Sequence, residues 1–468
     1  MTASSLVTRN FLALGSGEMI SRVIAFTVTI YLARILGAEG YGVIAFAVGV
    51  TLYLSKIADF SIEVIGTREL AEAPDLVNQL APAIMSVRLA LAALLAGVAI
   101  LGTQLFLSEP ERTIMLLYCL IPIPIAANTK WIHLGLENAR PIGWSRIASE
   151  LLALGVVLSL VRSKSDLWGA PVAQVAGESC FAFLLIFLLR KRNYKFGLRW
   201  DLATALPIFI RALPLLGHTM LWLIIYNSDL IFLRFFRDSK SVGYYAAAYM
   251  LIAFLANIGF SYGMSLLPTL TRLGAKTAKE KSLYQTALAH VYAFCLPISI
   301  GGFILATKII NFGFGVEYAN SILPLKILIW CIPLSVLRIV PWAALIARGY
   351  QYLLLKAMVY SVVVNITLNI LFIPRYGILG AAIATVITES LTAVLLFKYA
   401  AHHELPLTSL KRFWRPTVAS LFMTTALVVL RPSNLVVSLT LGVSVYALAL
   451  MVFGGIRLRK GKLPVLYV

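Results

Sequence analysis

Long apolar segments recur along this chain with only short polar stretches between them. The first runs from Phe11 to Leu36. A helix of about 20 apolar residues crosses the hydrocarbon core of a bilayer, because each residue advances the helix by about 1.5 Å. The composition agrees, since 60% of the residues are hydrophobic and only 13% are charged. The sequence therefore predicts an all-α polytopic membrane protein.

The apolar pattern predicts fourteen transmembrane helices, which we number in chain order. They span residues 10–36, 41–58, 79–107, 112–130, 142–161, 167–190, 205–234, 243–270, 283–311, 321–346, 352–373, 378–399, 413–430 and 434–456. An even number of crossings places both termini on the same side. The longest predicted loops, 60–78 and 400–411, are too short to hold a folded domain.

The distribution of basic residues sets the expected orientation. Of the 40 Lys and Arg residues, 24 fall in the loops and termini of one side, eight on the other side and eight within the helices. Cytoplasmic loops of membrane proteins carry the excess of Lys and Arg, so both termini are expected to be cytoplasmic. The excess of Lys and Arg in the cytoplasmic loops accounts for the net charge of +20, so no nucleic-acid partner is expected.

Eight basic residues interrupt the apolar segments. A charged side chain at the bilayer centre costs at least roughly 2.5–3.5 kcal/mol, and it usually faces a water-filled cavity or a charged partner. We therefore expect a central cationic cavity that binds an anion. The alternatives for each residue are an ion pair within the helix bundle and a long side chain that reaches the interface. The eight residues are Arg22, Lys56, Arg88, Arg211, Arg234, Lys308, Lys326 and Arg338.

Five of these residues are the candidates for binding a phosphate. Arginine is suited to this role because its planar guanidinium binds phosphate oxygens in pairs and keeps its charge. Arg22 has Glu18 four residues before it, so the two side chains either neutralise each other or separate when a phosphate binds. The five candidates are Arg22, Arg88, Arg338, Lys56 and Arg211.

Carboxylates within the predicted helices are the candidates for ion coupling. Glu178 and Glu389 fall mid-span on the sixth and twelfth helices, and Asp229 lies in the seventh. With Glu18, they serve either to carry a cation or as partners of buried arginines. Each of the four cysteines falls within an apolar segment and is expected to be a core residue. No metal site and no cofactor are predicted.

A weak internal repeat divides the chain. The turn Gly40-Tyr41-Gly42 precedes the second helix, and Gly243-Tyr244-Tyr245 occupies the same place before the eighth. Six helices separate the two turns, which predicts two lobes of six helices with the same orientation. We expect an N-terminal lobe at 1–200, a C-terminal lobe at 201–402 and an extra helix pair at 403–468.

Several short motifs, in this order over nearly the whole chain, resemble the Wzx-type polysaccharide flippases of the multidrug/oligosaccharidyl-lipid/polysaccharide exporter superfamily. The motifs are Ser21-Arg22-Val23, Ala33-Arg34-Ile35-Leu36-Gly37, Gly40-Tyr41-Gly42, Asp59-Phe60-Ser61, Thr67-Arg68-Glu69, Asn227-Ser228-Asp229, Leu267-Pro268-Thr269, Asn365-Ile366-Thr367-Leu368-Asn369, Ile373-Pro374-Arg375-Tyr376-Gly377 and Gly380-Ala381-Ala382. The related lipid II flippases carry an Arg-Asp pair where this chain has Val28-Thr29, and this departure argues against lipid II as the substrate.

The resemblance implies a flippase, and no enzymatic activity. It would carry a polyprenyl-pyrophosphate-linked oligosaccharide across the bacterial inner membrane by alternating access, for cell-surface polysaccharide synthesis. The two lobes would form a V around the cationic cavity, with the extra helix pair outside. Expected partners are this lipid-linked glycan, membrane lipids, a polysaccharide polymerase and other assembly proteins, and the chain is expected to be a monomer. The alternatives are a membrane glycan polymerase or ligase and a drug or metabolite antiporter of the same superfamily.

Overall fold

The computed structural model of the protein describes residues 3–194, 197–405, 412–457 and 465–466, which are almost entirely helical. The helices are α1 (Ala3–Asp59), α2 (Ile62–Glu72), α3 (Val77–Phe106), α4 (Glu111–Tyr118), α5 (Pro122–Ala127), α6 (Lys130–Gly135), α7 (Arg140–Leu160), α8 (Gly169–Arg190), α9 (Leu202–Phe236), α10 (Ser239–Leu273), α11 (Ala278–Gly313), α12 (Ile322–Leu328), α13 (Cys331–Leu337), α14 (Ile339–Ala347), α15 (Gln351–Tyr376), α16 (Ile378–His402), α17 (Trp414–Leu430) and α18 (Leu435–Val452). Two-residue strands β1 (Ile456–Arg457) and β2 (Val465–Leu466) pair antiparallel near the C-terminus. The predicted all-α membrane fold is confirmed.

The fourteen predicted spans each coincide with a helix or a run of short helices. In the described residues, 11 helices are long and apolar enough to cross a membrane, and the bent pair 316–328 and 331–347 makes up to 12. One of the 11 is the 56-residue segment Gly17–Glu72, which holds two predicted spans. The 17 residues of α17 form a shorter apolar helix at the thirteenth span.

A kink at Gly37 separates the first two spans within α1. Gly37 has φ 70° and ψ 178°, a backbone conformation that is essentially restricted to glycine because a Cβ atom would clash there. The residues on either side remain helical. The sequence motif that ends in Gly37 therefore marks a kink between two helical segments of α1, at the place where a short loop is predicted.

The fourth and tenth spans are broken, although the sequence predicts continuous helices at 112–130 and 321–346. The first is divided into α4, α5 and α6, and the second into α12, α13 and α14. Proline explains part of this correction, since it lacks the amide hydrogen that a continuous helix needs, and Pro122 begins α5. The two broken spans occupy equivalent places six helices apart, which supports the predicted internal repeat.

The predicted loop at 60–78 is wrong, because most of it is helical. α2 is followed by a 3₁₀ turn at Pro74–Leu76 that leads directly into α3. Ile62, Gly66 and Leu70 are spaced four residues apart, and each is buried on one face of α2. This spacing is the signature of an amphipathic helix, and the short length of the segment hides it in the sequence. The predicted loop at 400–411 ends outside the described residues.

The chain divides into two compact units, residues 1–234 and 235–468. This division follows the proximity of backbone segments in the folded chain, whereas the predicted lobes 1–200 and 201–402 follow the order of the spans and remain a prediction. The seventh span, α9, packs with the first unit along its length. Phe209 contacts Phe60 at a ring-centroid distance of 5.0 Å, and the Tyr53 hydroxyl donates to the Leu223 carbonyl at 3.0 Å.

Each unit has its own apolar core. In the first unit, side chains from α2, α3, α6 and α9 form a cluster that includes Ile62, Ile84, Trp131 and Ile208. In the second unit, Leu345, Leu353, Ala357 and Leu396 form a buried apolar cluster. α11 contacts α17, since the hydroxyl groups of Tyr292 and Thr417 lie 3.0 Å apart. Residues 40–47 and 242–248, at the start of the second and eighth spans, are buried in equivalent runs.

Candidate functional site

An exposed ion pair lies on the first membrane-spanning helix. Arg22 Nη2 is 3.2 Å from Glu18 Oε1, and the two side chains are 47% and 56% exposed. Arg22 is fourteen residues from Leu36, or about 21 Å along the helix axis at the usual rise. When Leu36, the predicted end of the first span, is taken as one edge of a hydrocarbon core of about 30 Å, Arg22 lies within the core and Glu18, about 27 Å from Leu36, lies near the opposite edge. A charge within the core needs water or a polar partner.

The helices beside this pair carry three further charges. α1 and α7 approach so closely that a Cβ atom on Gly17 would lie 2.6 Å from the Cα atom of Gly143. On α7, Arg146 pairs with Glu150 at 2.9 Å and with Glu178 of α8 at 2.8 Å. Arg146 also interacts electrostatically with Glu18.

We call these five residues the Arg146 cluster: Glu18, Arg22, Arg146, Glu150 and Glu178. Three carboxylates and two guanidinium groups leave the cluster one negative charge in excess when all are ionised. Arg146 is only 31% exposed and holds two carboxylates, so it is already engaged. Arg22 has one exposed carboxylate partner, and it is therefore the guanidinium of the cluster that an incoming anion reaches most easily.

Arg88 is buried and has a different environment. Its side chain is 2% exposed, and its Nη2 atom lies 2.6 Å from the Asp59 carboxylate. The guanidinium also donates to the carbonyl groups of Asn128 at 3.0 Å and Ile125 at 2.9 Å. These contacts join α3 to the end of α1 and to the break after α5. The hydrogen bonds of Arg88 are thus used to hold three helical segments together.

Arg338 forms the corresponding buried pair of the second unit. Its Nε atom donates to Glu389 at 3.0 Å and its Nη2 atom donates at 3.4 Å, with side-chain exposures of 17% and 4%. Glu389 lies beside a polar strip between α15 and α16. In this strip the hydroxyl groups of Ser361 and Thr392 lie 2.7 Å apart. Polar side chains between membrane helices stabilise helix association.

The two remaining phosphate candidates lie near the predicted inner ends of their helices and are exposed. Lys56, in the last turn of α1, forms no ion pair with a described carboxylate. Arg211 is 53% exposed and pairs with Glu69 of α2 at 2.7 Å. Both residues are accessible to a charged group that approaches from that side of the membrane.

The other cations of the spans have contacts within their own unit. Arg234 pairs with Glu111 through its Nε atom at 2.8 Å, and Lys308 donates to the Ser438 hydroxyl at 3.0 Å. The Lys326 amine lies 5.5 Å from the centroid of the Phe303 ring, a cation–π contact. The Asp229 side chain is buried in α9 and interacts electrostatically with Tyr53.

Sequence reasoning missed three residues of these networks. Arg146 lies within the predicted fifth span but is not among the eight basic residues assigned to the spans, Asp59 is named only as part of a motif, and Glu111 precedes the predicted start of the fourth span. Arg146 and Glu150 are four residues apart, which was a readable signal. The pairings of Asp59 and Glu111 with residues far along the chain give no such signal.

Comparison with known proteins places this architecture among membrane proteins of polysaccharide synthesis. A putative O-antigen transporter of Shigella dysenteriae is 22% identical over 387 residues, which cover 80% of this chain and 94% of that protein. The probable low-salt glycan biosynthesis flippase Agl15 of Haloferax volcanii is 24% identical over 173 residues, 36% of this chain and 37% of that protein.

A solved structure has the same fold. The lipid II flippase MurJ, in an inward closed conformation, superposes with a TM-score of 0.77 at 15% sequence identity. The superposition covers 94% of this chain and 98% of that one. Residues 7–274 match the family described as "Polysaccharide biosynthesis protein", which is more than half of the chain. The protein is therefore a multi-pass membrane protein that belongs to the polysaccharide biosynthesis protein family.

Proposed function

We propose that this protein is a flippase that moves a lipid-linked glycan across the membrane. Its relatives in the family carry the names O-antigen transporter and glycan biosynthesis flippase, and a flippase shares its fold. The substrate is a polyprenyl-pyrophosphate-linked oligosaccharide, moved by alternating access from the cytoplasmic to the outer leaflet of the bacterial inner membrane. Both termini are cytoplasmic. The protein transports this substrate and breaks no covalent bond in it.

The observation that carries this proposal is the exposed Glu18–Arg22 pair inside the membrane. A pyrophosphate that reaches α1 can replace the Glu18 carboxylate as the partner of Arg22, because a guanidinium binds phosphate oxygens in a bidentate geometry. The displaced Glu18 keeps a favourable interaction with Arg146. The Glu18 carboxylate thereby gives up Arg22 to the pyrophosphate and stays within the Arg146 cluster.

The buried pairs have a supporting role in this proposal. Arg88 and Arg338 are paired with Asp59 and Glu389, so they set the positions of the helices. Lys56 and Arg211 are exposed near the predicted cytoplasmic ends, where they attract the phosphate before it reaches Arg22. The phosphate would meet Lys56 and Arg211 first and Arg22 later, because the basic side chains become less exposed from the inner ends of the spans towards their interior.

Native mass spectrometry of the purified full-length protein tests the substrate class. We expect co-purified masses of polyprenyl-pyrophosphate glycans with the wild type, and their loss with Arg22→Gln. Arg190→Gln, which removes an exposed arginine at the end of α8, is the matched control and should retain them. Recovery of the same masses from Arg22→Gln would remove Arg22 from the binding path.

A transport assay tests the activity itself. Proteoliposomes containing a fluorescent polyprenyl-pyrophosphate oligosaccharide report its movement by quenching from outside. The flipping rate should fall at least tenfold in Arg22→Gln, equivalent to about 1.4 kcal/mol, and less in Arg22→Lys. Movement of a cationic drug instead of the labelled glycan, blocked by neutralising Asp229 or Glu389, would favour the antiporter alternative.

A further inference from the structure

A basic pocket lies in the second unit, away from the charged residues considered above. It has a volume of about 590 Å³ and lies between the start of α15 and the end of α16. Pockets of roughly 300–1,000 Å³ hold small ligands in proteins. The lining residues are Tyr352, Leu353, Lys356, Lys398, Tyr399, His402 and His403.

The charge of this pocket is one-sided. Two lysines and two histidines line it, and no carboxylate is among its lining residues. Within the described residues, neither Lys356 nor Lys398 forms an ion pair. The nearby acids are already paired, since Glu280 forms two 2.7 Å bonds with Arg348, and Glu404 lies 2.9 Å from Lys276. An anion in the pocket would therefore meet uncompensated positive charge.

The end of α15 adds to this positive potential. Tyr352 and Leu353 are among the first residues of α15, and its N-cap residue Tyr350 provides no side-chain cap. The N-terminus of a helix carries about half a positive charge, which favours an anion and disfavours a nearby cation. Lys356 follows one turn later, and a cation so near a helix N-terminus does not stabilise that helix. A bound anion would be stabilised both by the N-terminus of α15 and by the Lys356 amine.

The walls of the pocket are held in place by packing. The His403 ring stacks on Tyr350 with a centroid distance of 3.9 Å, and the His403 carbonyl accepts a hydrogen bond from Arg348. Burial, together with the charges of His402, Arg348 and Lys276, lowers the pKa of His403. Leu353 belongs to a buried apolar cluster with Leu345 and Leu396. The pocket is therefore formed before any ligand binds.

We propose that this pocket binds a phosphoryl group through Lys356, Lys398 and His402. Ammonium donors form charge-assisted hydrogen bonds with phosphate oxygens, and an imidazole N–H group donates a further hydrogen bond. The pocket lies where two membrane spans end, the level of lipid headgroups, so the phosphoryl group comes either from an anionic lipid or from a soluble phosphorylated compound. The site is independent of the proposed flippase activity, because it contains none of the transport candidates.

Positive-inside topology is the competing explanation of the two lysines, because both lie at the end predicted to be cytoplasmic. Positive-inside topology requires only that the two lysines are charged, and it does not require that they line a pocket. Lys356→Gln/Lys398→Gln removes two pocket charges, whereas Lys240→Gln/Lys279→Gln removes two exposed charges elsewhere in the same unit. The four substituted side chains are exposed, so both double variants should fold. Thermal unfolding in detergent checks this expectation.

Binding to the full-length protein tests the proposal with two probes, dihexanoyl phosphatidylglycerol and inorganic pyrophosphate, by microscale thermophoresis. The wild type should bind at least one probe. Lys356→Gln/Lys398→Gln should weaken that binding about tenfold or more, while Lys240→Gln/Lys279→Gln binds like the wild type. Tighter binding of the lipid identifies a headgroup as the source, and tighter binding of pyrophosphate identifies a soluble ligand.

The proposal is wrong if neither probe binds, or if the pocket variant binds like the wild type. It is also wrong if Arg22→Gln alone removes the binding, since the probe then occupies the Arg146 cluster. Neither result bears on the flipping assay, which measures movement of the labelled glycan and uses no pocket variant.

Discussion

The guanidinium of Arg88 lies 2.6 Å from the carboxylate of Asp59, with the arginine side chain only 2% exposed. The Arg22–Glu18 pair has a similar chemistry at 3.2 Å, but its side chains are about half exposed. The two pairs respond differently to the loss of one partner, because the first is buried and the second is exposed. Loss of one partner leaves an uncompensated charge in the first pair, whereas water or a ligand replaces the lost partner in the second.

The substitution Arg88→Gln should strongly destabilise the protein. It leaves the Asp59 carboxylate and the carbonyl groups of Ile125 and Asn128 without their donor, and breaking a buried pair costs roughly 3–5 kcal/mol. Thermal unfolding in detergent should show a markedly lower midpoint. Arg22→Gln is the control, because an exposed pair contributes only about 0–1 kcal/mol. Equal midpoints for the two variants would show that the Asp59 pair is not structural.

Reversing the charges of Arg338 and Glu389, singly and together, should show that the two side chains stabilise the protein through their direct contact. Arg338→Glu alone places two carboxylates together in a site that is 17% exposed at most, and Glu389→Arg alone places two arginines there. The double reversal restores opposite charges. Thermal midpoints should fall in each single variant and partly recover in the double variant, with a coupling of about 0.5–3 kcal/mol. Additive losses would mean that the two side chains act independently.

Substitution of Gly37 should destabilise the bend between the first two spans. Its φ of 70° with extended ψ is unfavourable for any side chain, so Gly37→Val should cost about 1–3 kcal/mol. Gly97 provides the control, because it lies exposed within α3 and a Cβ atom there meets nothing within 4 Å. Gly97→Ala should be neutral or stabilising in the same unfolding measurement. A neutral Gly37→Val would indicate that the bend is not needed.

The ion pair of Glu404 should make stability depend on pH in the acidic range. Lys276 donates to Glu404 at 2.9 Å and Lys281 lies 3.5 Å away, and these contacts lower the pKa of the carboxyl below its ordinary value of 4.5. A depressed carboxyl pKa stabilises the folded state above the ordinary pKa, and this contribution is lost as the pH falls through the folded value. The wild type should therefore be slightly more stable than Glu404→Gln at neutral pH.

The measurement is the difference in thermal midpoint between wild type and Glu404→Gln from neutral pH to below pH 4.5. The difference should shrink on acidification. In a Lys276→Gln/Lys281→Gln background the same substitution should have little effect at any pH, because its partners are gone. A difference that grows on acidification would contradict the assigned direction of the pKa shift.

Much of the fold was readable from periodicity and hydropathy. Apolar segments long enough to span a bilayer leave few alternatives to a helix, because every backbone polar group must be paired within the membrane. The helical content of residues 60–78 was not readable from average hydropathy, because it shows in the burial of Ile62 and Leu70 on one face of α2. The breaks in the fourth and tenth spans were only partly readable, from prolines such as Pro122.

The candidate site was only partly readable. The Glu18–Arg22 pair follows from a spacing of four residues on one helix, and the structure has it at hydrogen-bond distance. The surroundings of Arg146 required the close approach of α1 and α7 at Gly17 and Gly143. No spacing along the chain predicts such a contact, since the two glycines are separated by more than a hundred residues.

The sequence by itself determined the membrane-spanning helices, the charges within them and the resemblance to polysaccharide flippases, because these depend on local composition and order. Only the tertiary structure decided which charges are neutralised. Arg88 and Arg22 are both arginines within apolar segments of the sequence, yet one is buried against Asp59 and the other is exposed beside Glu18. The reason is physical, because the energy of a charge depends on its partners and on water, and both are fixed by how distant segments pack.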